Sequence, residues 1–256
     1  MIANRSFTTI GLAAFKSQHY VALFNMVKVY PEFFDCFGRY LFSSGSYPYV
    51  VNLRTPCGLV TATLDSHHDM LTVNEIFCRN DYKATSSVKC VVDIGSNIGI
   101  SALYFLTRNE SSRVYLFEPN PRNLVRLSAN LRGREPRFEL NPVAVTESDG
   151  EVDFGIESTG RYGGVGVLTG SQLRVRSVGI NSLLRRIIEK EGSIDILKLD
   201  IEGLEIQTVK IIEPELRSKI RRIYMEAEPK ERLFDSGFKQ IQYGTVCQLL
   251  NERFTD

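Results

Sequence analysis

Three histidines in a chain of 256 residues are too few for a histidine-rich metal centre. His67-His68-Asp69 brings ligand types together, but adjacent side chains point apart on a strand or helix, and zinc sites usually show separated ligand pairs. The five cysteines (Cys36, Cys57, Cys78, Cys90 and Cys247) form no C-x-x-C pair and are odd in number. That excludes a disulfide framework and suits buried free thiols in a reducing cytosol. No apolar run approaches the ~20 residues of a membrane span. Nor do charged, apolar and small-residue segments follow one another as in a secretory signal, so the expected location is cytoplasmic. An excess of one charge is also missing. Lys and Arg total 31 against 30 Asp and Glu, a net charge of +1, which gives no electrostatic reason to expect nucleic acid. The clusters Arg132, Arg134, Arg137 and Arg217, Lys219, Arg221, Arg222 read as solvated faces. Internal repeats and low-complexity segments are absent.

What is present is ordinary globular material, 43% hydrophobic and 24% charged, enough for one large domain or one domain with an extension. Residues 1–42 carry Phe15, Val21, Phe24, Val27, Phe33, Phe34, Phe37 and Leu41 at loosely helical spacing, broken by Pro31. This segment suits a helical cap on the core, a substrate-side lid or a homodimer contact. Residues 47–64 alternate apolar and polar around Pro56-Cys57-Gly58, which predicts a β-hairpin turning there. A short helix is expected over 70–82. We place a boundary near residue 69, with a helical and hairpin extension over 1–69 and the main domain over 70–256.

From there strands and helices alternate. Strands are expected at 89–94, 113–118, 137–145, 194–200 and 221–227, and helices at 98–108, 121–132, 180–190 and 203–211. The strands are dense in Val, Ile and Leu, as in a parallel sheet covered on both faces. Asn120 followed by Pro121 reads as an N-cap and first helical residue. Residues 151–156 and 173–178 suggest an extra hairpin around a stretch holding Gly160, Gly163, Gly164 and Gly166, which reads as a substrate-covering loop or an ordinary flexible connection. Residues 237–254 predict one or two final strands.

Two stretches carry most of the functional information. Val91-Val92-Asp93-Ile94-Gly95-Ser96-Asn97-Ile98-Gly99 reads as a buried strand entering a glycine-containing turn with a helix behind it. Leu116-Phe117-Glu118-Pro119 reads as a second strand ending in a carboxylate, about 20 residues after the turn, the offset at which such an acid accepts hydrogen bonds from a ribose diol. A dinucleotide site wants G-x-G-x-x-G so that pyrophosphate can sit on bare backbone. Here Asn97 takes the middle glycine position and Asp93 precedes the turn. A carboxylate and an amide suit a nucleoside without phosphates and with a cationic amino-acid end, such as S-adenosylmethionine.

A third strand, Ile194 to Leu199, ends at Asp200, followed by Ile201-Glu202-Gly203-Leu204-Glu205. Ligands of open α/β sheets gather at the C-terminal strand ends, so Asp93, Glu118 and Asp200 should converge. Glu202 and Glu205 are expected to be acids matched to the helix dipole. A fourth strand end carries Glu226-Ala227-Glu228, whose acids share a side if the strand continues. A divalent metal is permitted there but not demanded.

In order, Val92–Gly99, Phe117-Glu118-Pro119-Asn120-Pro121, Asn141-Pro142-Val143-Ala144-Val145 and Leu197-Lys198-Leu199-Asp200-Ile201-Glu202-Gly203-Leu204-Glu205 resemble the FkbM family of S-adenosylmethionine-dependent methyltransferases. The resemblance runs from about residue 70 onward; residues 1–65 carry none. It implies a doubly wound, mostly parallel, seven-stranded α/β sheet of the Rossmann-like class I methyltransferase kind. It also implies O-methylation of a sugar, glycolipid or natural-product hydroxyl. Carried onto this chain, Asp93, Gly95, Ser96 and Asn97 line the methionine end, and Glu118 holds the ribose. Pro119, Asn120 and Ala144 lie by the adenine, and Glu75 and Tyr82 close over the cofactor. Asp200 borders the methyl-transfer position as the first candidate base, with Glu226 or Glu228 second. Many relatives carry Glu-x-His where this chain has Glu226-Ala227-Glu228, which argues against a histidine-dependent base or metal. Two rival readings remain. A nicotinamide-dependent oxidoreductase shares the turn and the ribose acid but wants glycine at position 97. A non-catalytic interaction module on a methyltransferase scaffold is not excluded by fold alone.

Overall fold

The computed structural model describes residues 17–156, 163–166 and 171–254. The expected loop residues 157–162 and 167–170, Arg161 and Tyr162 among them, and the start of the N-terminal segment with Phe15 lie outside the described residues. Contacts divide the chain into two units, Met1–Lys83 and Ala84–Asp256.

In the first unit, helices α1 (Ser17–Val29) and α2 (Phe33–Phe42) flank Pro31, which cannot continue a helix ladder. Strands β1 (Tyr49–Thr55) and β2 (Gly58–Leu64) pair antiparallel from Tyr49–Leu64 to Thr55–Gly58, which leaves Pro56 and Cys57 as the turn. Val51, Leu53, Val60, Ala62 and Leu64 alternate inward. Helix α3 (His67–Val73) starts with a reciprocal Ser66–Asp69 capping box and runs on as a π-helical turn over Asn74–Cys78. Asn25 Nδ2 donates to the Cys78 carbonyl at 2.7 Å and ties that turn to α1. The division after Lys83 therefore puts the short helix with the N-terminal elements, and the expected boundary at residue 69 lies within the first unit. The outer faces of α1 and α2 leave Tyr20, Phe24 and Phe34 exposed.

In the second unit the elements run β3 (Cys90–Ile94), α4 (Ile100–Leu106), β4 (Arg113–Phe117), α5 (Pro121–Asn130), β5 (Phe138–Asn141), β6 (Ala144–Thr146), β7 (Gly150–Ile156), β8 (Gly163–Val165) and β9 (Ser171–Gly179). They continue as α6 (Ile180–Glu191), β10 (Ile194–Leu199), α7 (Glu205–Lys210), α8 (Pro214–Arg217), β11 (Ile220–Glu226), β12 (Phe238–Tyr243) and β13 (Val246–Asn251). Seven strands form one sheet in the order β12-β13-β11-β10-β3-β4-β5. Its pairs are parallel from β11 through β5, and β13 joins β11 antiparallel. This is the doubly wound, mostly parallel seven-stranded sheet that the sequence predicts.

The pleat sorts the core. Cys90, Val92 and Ile94 join Ile180, Leu183, Leu184 and Ile187 of α6 on one face. Asp93 points to the opposite face, where Ser101 of α4 donates to it. The five cysteines are free, four of them buried.

One strand differs from expectation. The single strand foreseen over 137–145 is two, β5 in the large sheet and β6 in a four-stranded sheet ordered β6-β9-β7-β8. Pro142 has no N–H to give to a ladder, and the Val143 N–H turns back to the Asn141 carbonyl at 2.9 Å. The hairpin expected from 151–156 and 173–178 forms the β7–β9 pair of that smaller sheet.

Candidate active site

Register places the site. Ile94 of β3 lies opposite both Phe117 of β4 and Leu199 of β10, and Leu199 opposite Met225 of β11. The next residue of each strand (Gly95, Glu118, Asp200 and Glu226) therefore emerges at one level of the sheet's C-terminal edge. The edge also contains the switch point. From β3 the chain winds outward through β4 and β5, then returns to β10 and β11 on the other side. A crevice opens here, lined by Gly95, Asn97, Glu118, Pro119, Asn120, Ala144 and Asp200 among the expected residues. Val143, Val145, Phe154 and Val165 give it an apolar wall.

The turn after β3 is shaped by close approach. Gly95 has φ +77°, and a Cβ there would meet the Asp200 carbonyl oxygen at 1.9 Å. Asn97 also has positive φ, 46°, a region that asparagine tolerates better than most side chains. The Asn97 N–H donates to Glu118 Oε2 at 2.9 Å. Glu118 Oε1 accepts from the Asn120 N–H at 2.9 Å and from Asn123 Nδ2 at 3.3 Å. The carboxyl is almost wholly buried, and burial pushes its pKa up to about 7 against the pull of these three donors. Asn120 caps α5 by accepting from the Arg122 N–H at 3.0 Å, with Pro121 at the first helical position as the sequence predicts.

Beneath the turn lies a charged layer. Lys198, fully buried on β10, sits 3.0 Å from Asp93 Oδ1 and 3.4 Å from Asp200 Oδ2, and donates to the Gly95 carbonyl at 2.9 Å. Burial alone lowers its pKa; the two carboxylates reverse this and hold it above the ordinary lysine range. Asp93 has no solvent exposure and its Oδ2 accepts from Ser101 Oγ at 2.6 Å. Ser96 is buried as well, donating to the Asp93 carbonyl at 2.7 Å and accepting from the Phe117 N–H at 3.2 Å. Asp93 and Ser96 thus support the turn from below, while the Asp200 side chain keeps 32% exposure at the crevice.

Glu205 is more than a first-turn acid. It is buried and accepts from the Ile201 and Gly203 N–H groups at 2.8 and 2.9 Å, folding the 201–204 loop against the start of α7. Glu202, at φ 56°, lines the crevice from that loop. Strand β11 ends at Glu226, so Glu226 and Glu228 are exposed at and beyond a strand end rather than side by side within a strand. Glu75, ion-paired with Arg79 at 3.5 Å, and Tyr82, buried, belong to the first unit. Lys198 and Asn123 are the residues that sequence reasoning missed. Lys198 is an ammonium inside an otherwise apolar strand end, a signal that was readable; Asn123 sits in the first turn behind a cap already recognised.

Among the described residues no group of three or more His, Cys, Asp or Glu could hold a metal ion. Nor is any described helix long and apolar enough to cross a membrane.

A family model described as the methyltransferase FkbM domain matches residues 93–253. The chain is 24% identical over 216 residues to the AMB antimetabolite synthetase AmbE of Pseudomonas aeruginosa, a match covering 68% of this chain and 10% of that protein. It is 36% identical over 64 residues to the 2-O-methyltransferase NoeI of Sinorhizobium fredii, covering 25% of this chain and 26% of that protein. The matches thus span about a quarter or less of these curated relatives. Among solved structures, the methyltransferase FkbM from Methylobacillus flagellatus KT aligns over 72% of this chain and 54% of that one, at 15% identity and a TM-score of 0.44.

Proposed function

The chain belongs to the FkbM methyltransferase family, and from that membership together with the crevice we propose that it moves a methyl group from S-adenosylmethionine to a hydroxyl oxygen. The observation that carries this reading is the aligned emergence of Gly95, Glu118 and Asp200 around one crevice. The residues fit the nucleoside. Glu118 offers a carboxylate to ribose hydroxyls, Val143, Val145 and Phe154 offer an apolar wall to the adenine, and Gly95 lets backbone approach closely. The layer of Asp93, Lys198 and Asp200 carries two carboxylates against one ammonium, a balance that suits a cationic end. S-adenosylmethionine would supply a methyl already activated as a sulfonium substituent.

The chain's own contribution is then placement and proton removal. An alcohol is a poor nucleophile at neutral pH, and an in-line acceptor oxygen loses its proton as its bond to carbon forms. Asp200, exposed at the crevice, is the first candidate to accept that proton, with Glu226 or Glu228 second. Lys198 fixes the Asp200 carboxylate through the 3.4 Å contact. The acceptor class we propose is a sugar, glycolipid or glycosylated metabolite; the name of the relative NoeI, a 2-O-methyltransferase, supports a hydroxyl acceptor. A homodimer through the exposed Tyr20, Phe24 and Phe34 belongs to the same reading.

The test is incubation with S-adenosylmethionine labelled in its methyl group and a panel of glycosides and polyols, read by mass spectrometry. Transfer of label to an oxygen supports the proposal. Transfer to nitrogen or carbon only, or no binding of either S-adenosylmethionine or S-adenosylhomocysteine, overturns it.

A further inference from the structure

Glu202 stands at φ 56°, in the left-handed region that glycine and asparagine enter readily and most other side chains do not. Gly203 behind it has φ +99° and open space where a Cβ would go, so backbone conformation alone asks for glycine there. Glycine would ease position 202 in the same way, yet the chain carries glutamate. Glu205 holds the loop in this shape. Buried at 2% exposure, it accepts the Ile201 and Gly203 N–H groups at 2.8 and 2.9 Å. With the N–H groups on either side turned inward, residue 202 is the exposed apex of the loop. A costly conformation held in place by its surroundings, at the wall of a crevice, points to a functional side chain.

The other polar groups of the crevice already have tasks around the ribose acid. Asn97 and Asn120 give their N–H groups to Glu118, and Asn123 gives its side-chain amide. Asp200 and Glu202 are the two polar lining residues that no contact ties to Glu118 or to the cap of α5. Both come from the segment that leaves β10, two residues apart. Asp200 is the candidate to take the acceptor's proton, so the carboxylate next along the same loop stands where the rest of the acceptor must pass.

Building on the hydroxyl-transfer reading above, we propose that Glu202 is an acceptor-binding residue, its carboxylate accepting a hydrogen bond from the hydroxyl adjacent to the one that is methylated. The substrate class this selects is a vicinal diol, as in a sugar ring, in preference to an isolated alcohol or a phenol. An ionised carboxylate only accepts, so it rewards a neighbouring hydroxyl and gains nothing from an ether or a bare methylene at that position. The glutamate thus costs the loop some strain and returns selectivity for the acceptor.

The experiment compares the full chain with Glu202→Gly and Glu202→Gln. It reads the thermal midpoint, calorimetric affinity for S-adenosylhomocysteine, and KM for a methyl glycoside with labelled S-adenosylmethionine. The probes are the methyl glycosides of glucose, galactose, mannose and xylose, together with the analogue of the labelled one that lacks the hydroxyl beside the methylated position. Glu202→Gly should raise the thermal midpoint by about 2–4 °C, because it relieves the left-handed conformation. Affinity for S-adenosylhomocysteine should change little in either variant. KM for the glycoside should rise about tenfold in Glu202→Gly, the loss of one hydrogen bond to a charged group, and less in Glu202→Gln, whose amide oxygen still accepts. The unaltered protein should lose about the same factor on the deoxy analogue, and Glu202→Gly should lose nothing further on it. A lowered midpoint in Glu202→Gly overturns the proposal, because the side chain then holds the loop. A tenfold fall in affinity for S-adenosylhomocysteine also overturns it, because the side chain then serves the cofactor. An unchanged KM in both variants, or equal use of glycoside and deoxy analogue by the unaltered protein, overturns this inference alone. Binding of S-adenosylhomocysteine by an unaltered protein that labels none of the glycosides overturns the sugar acceptor class, and this inference with it.

Discussion

Lys198 Nζ lies 3.0 Å from Asp93 Oδ1, with the lysine side chain 2% exposed and the aspartate wholly buried. The pair joins β10 to β3 across the switch point, and the same ammonium reaches the Gly95 carbonyl and Asp200. The turn that lines the crevice therefore rests on a buried ion pair. Lys198→Met leaves Asp93 buried without a cation, and removal of one partner of such a pair typically costs about 3–5 kcal/mol. Urea denaturation should show a midpoint lowered accordingly. Asp93→Asn combined with Lys198→Met should recover part of the loss, because no fully buried charge is left unpaired and Asp200, which also loses the ammonium, keeps 32% exposure to water. An unchanged midpoint in Lys198→Met contradicts the structural role of the pair.

Gly95 answers a steric demand. At φ +77° with the Asp200 carbonyl 1.9 Å from a would-be Cβ, Gly95→Ala forces β3 and β10 apart at the crevice. We expect a loss of about 2 kcal/mol or more, from strain and overpacking together. S-adenosylhomocysteine binding should fall with it. Gly58→Ala serves as the comparison: its φ is also positive, but nothing lies within 4 Å of the added carbon, so only the strain remains.

Glu118 makes the ligand-free protein pH-sensitive in an unusual sense. Its folded pKa is about 7, raised by burial above the ordinary carboxyl value of 4.5. Between those values the folded chain binds more protons at this site than the unfolded chain does. Stability from Glu118 is therefore present below about pH 4.5 and is lost as pH rises through 7, by up to about 3 kcal/mol. Denaturation series from pH 5 to pH 8 should show this slope, and Glu118→Gln should flatten it. Hydroxyl donors favour the ionised acid, so affinity for S-adenosylhomocysteine should rise over the same interval. A pH-independent affinity contradicts the assigned contact.

For Asp200, the base assignment predicts a split between chemistry and binding. Asp200→Asn keeps the shape but removes the proton acceptor, and turnover should fall by roughly 10²- to 10⁴-fold. Affinity for S-adenosylhomocysteine should change far less. Unaltered methylation rate in this variant rejects Asp200 as the base and passes the role to Glu226 or Glu228.

Much of the fold was legible because its strands are short, apolar and separated by recognisable turn and cap residues. Asn120-Pro121 marked the start of α5, and Pro56-Cys57-Gly58 marked the first hairpin. The split of 137–145 was missed because Val143, Ala144 and Val145 continue the apolar pattern, and only Pro142 betrays the break. In the site, carboxylates at strand ends were readable because parallel strands share one ligand edge. Their depth was not. Period-2 alternation sends Asp93 to a face and leaves unstated whether that face meets ligand or the buried Lys198. The pairing of Glu118 with Asn123 joins a strand end to the first turn of the next helix, and the cap signal at Asn120-Pro121 does not say which first-turn side chain faces back to the acid.

The most direct measurement is calorimetric titration of S-adenosylhomocysteine into the full chain and into Glu118→Ala. The predicted result is one bound molecule per chain, with affinity lowered at least about tenfold by the substitution. Equal affinity in both proteins, or no binding to either, would contradict the placement of an adenosine between Glu118 and Asp200.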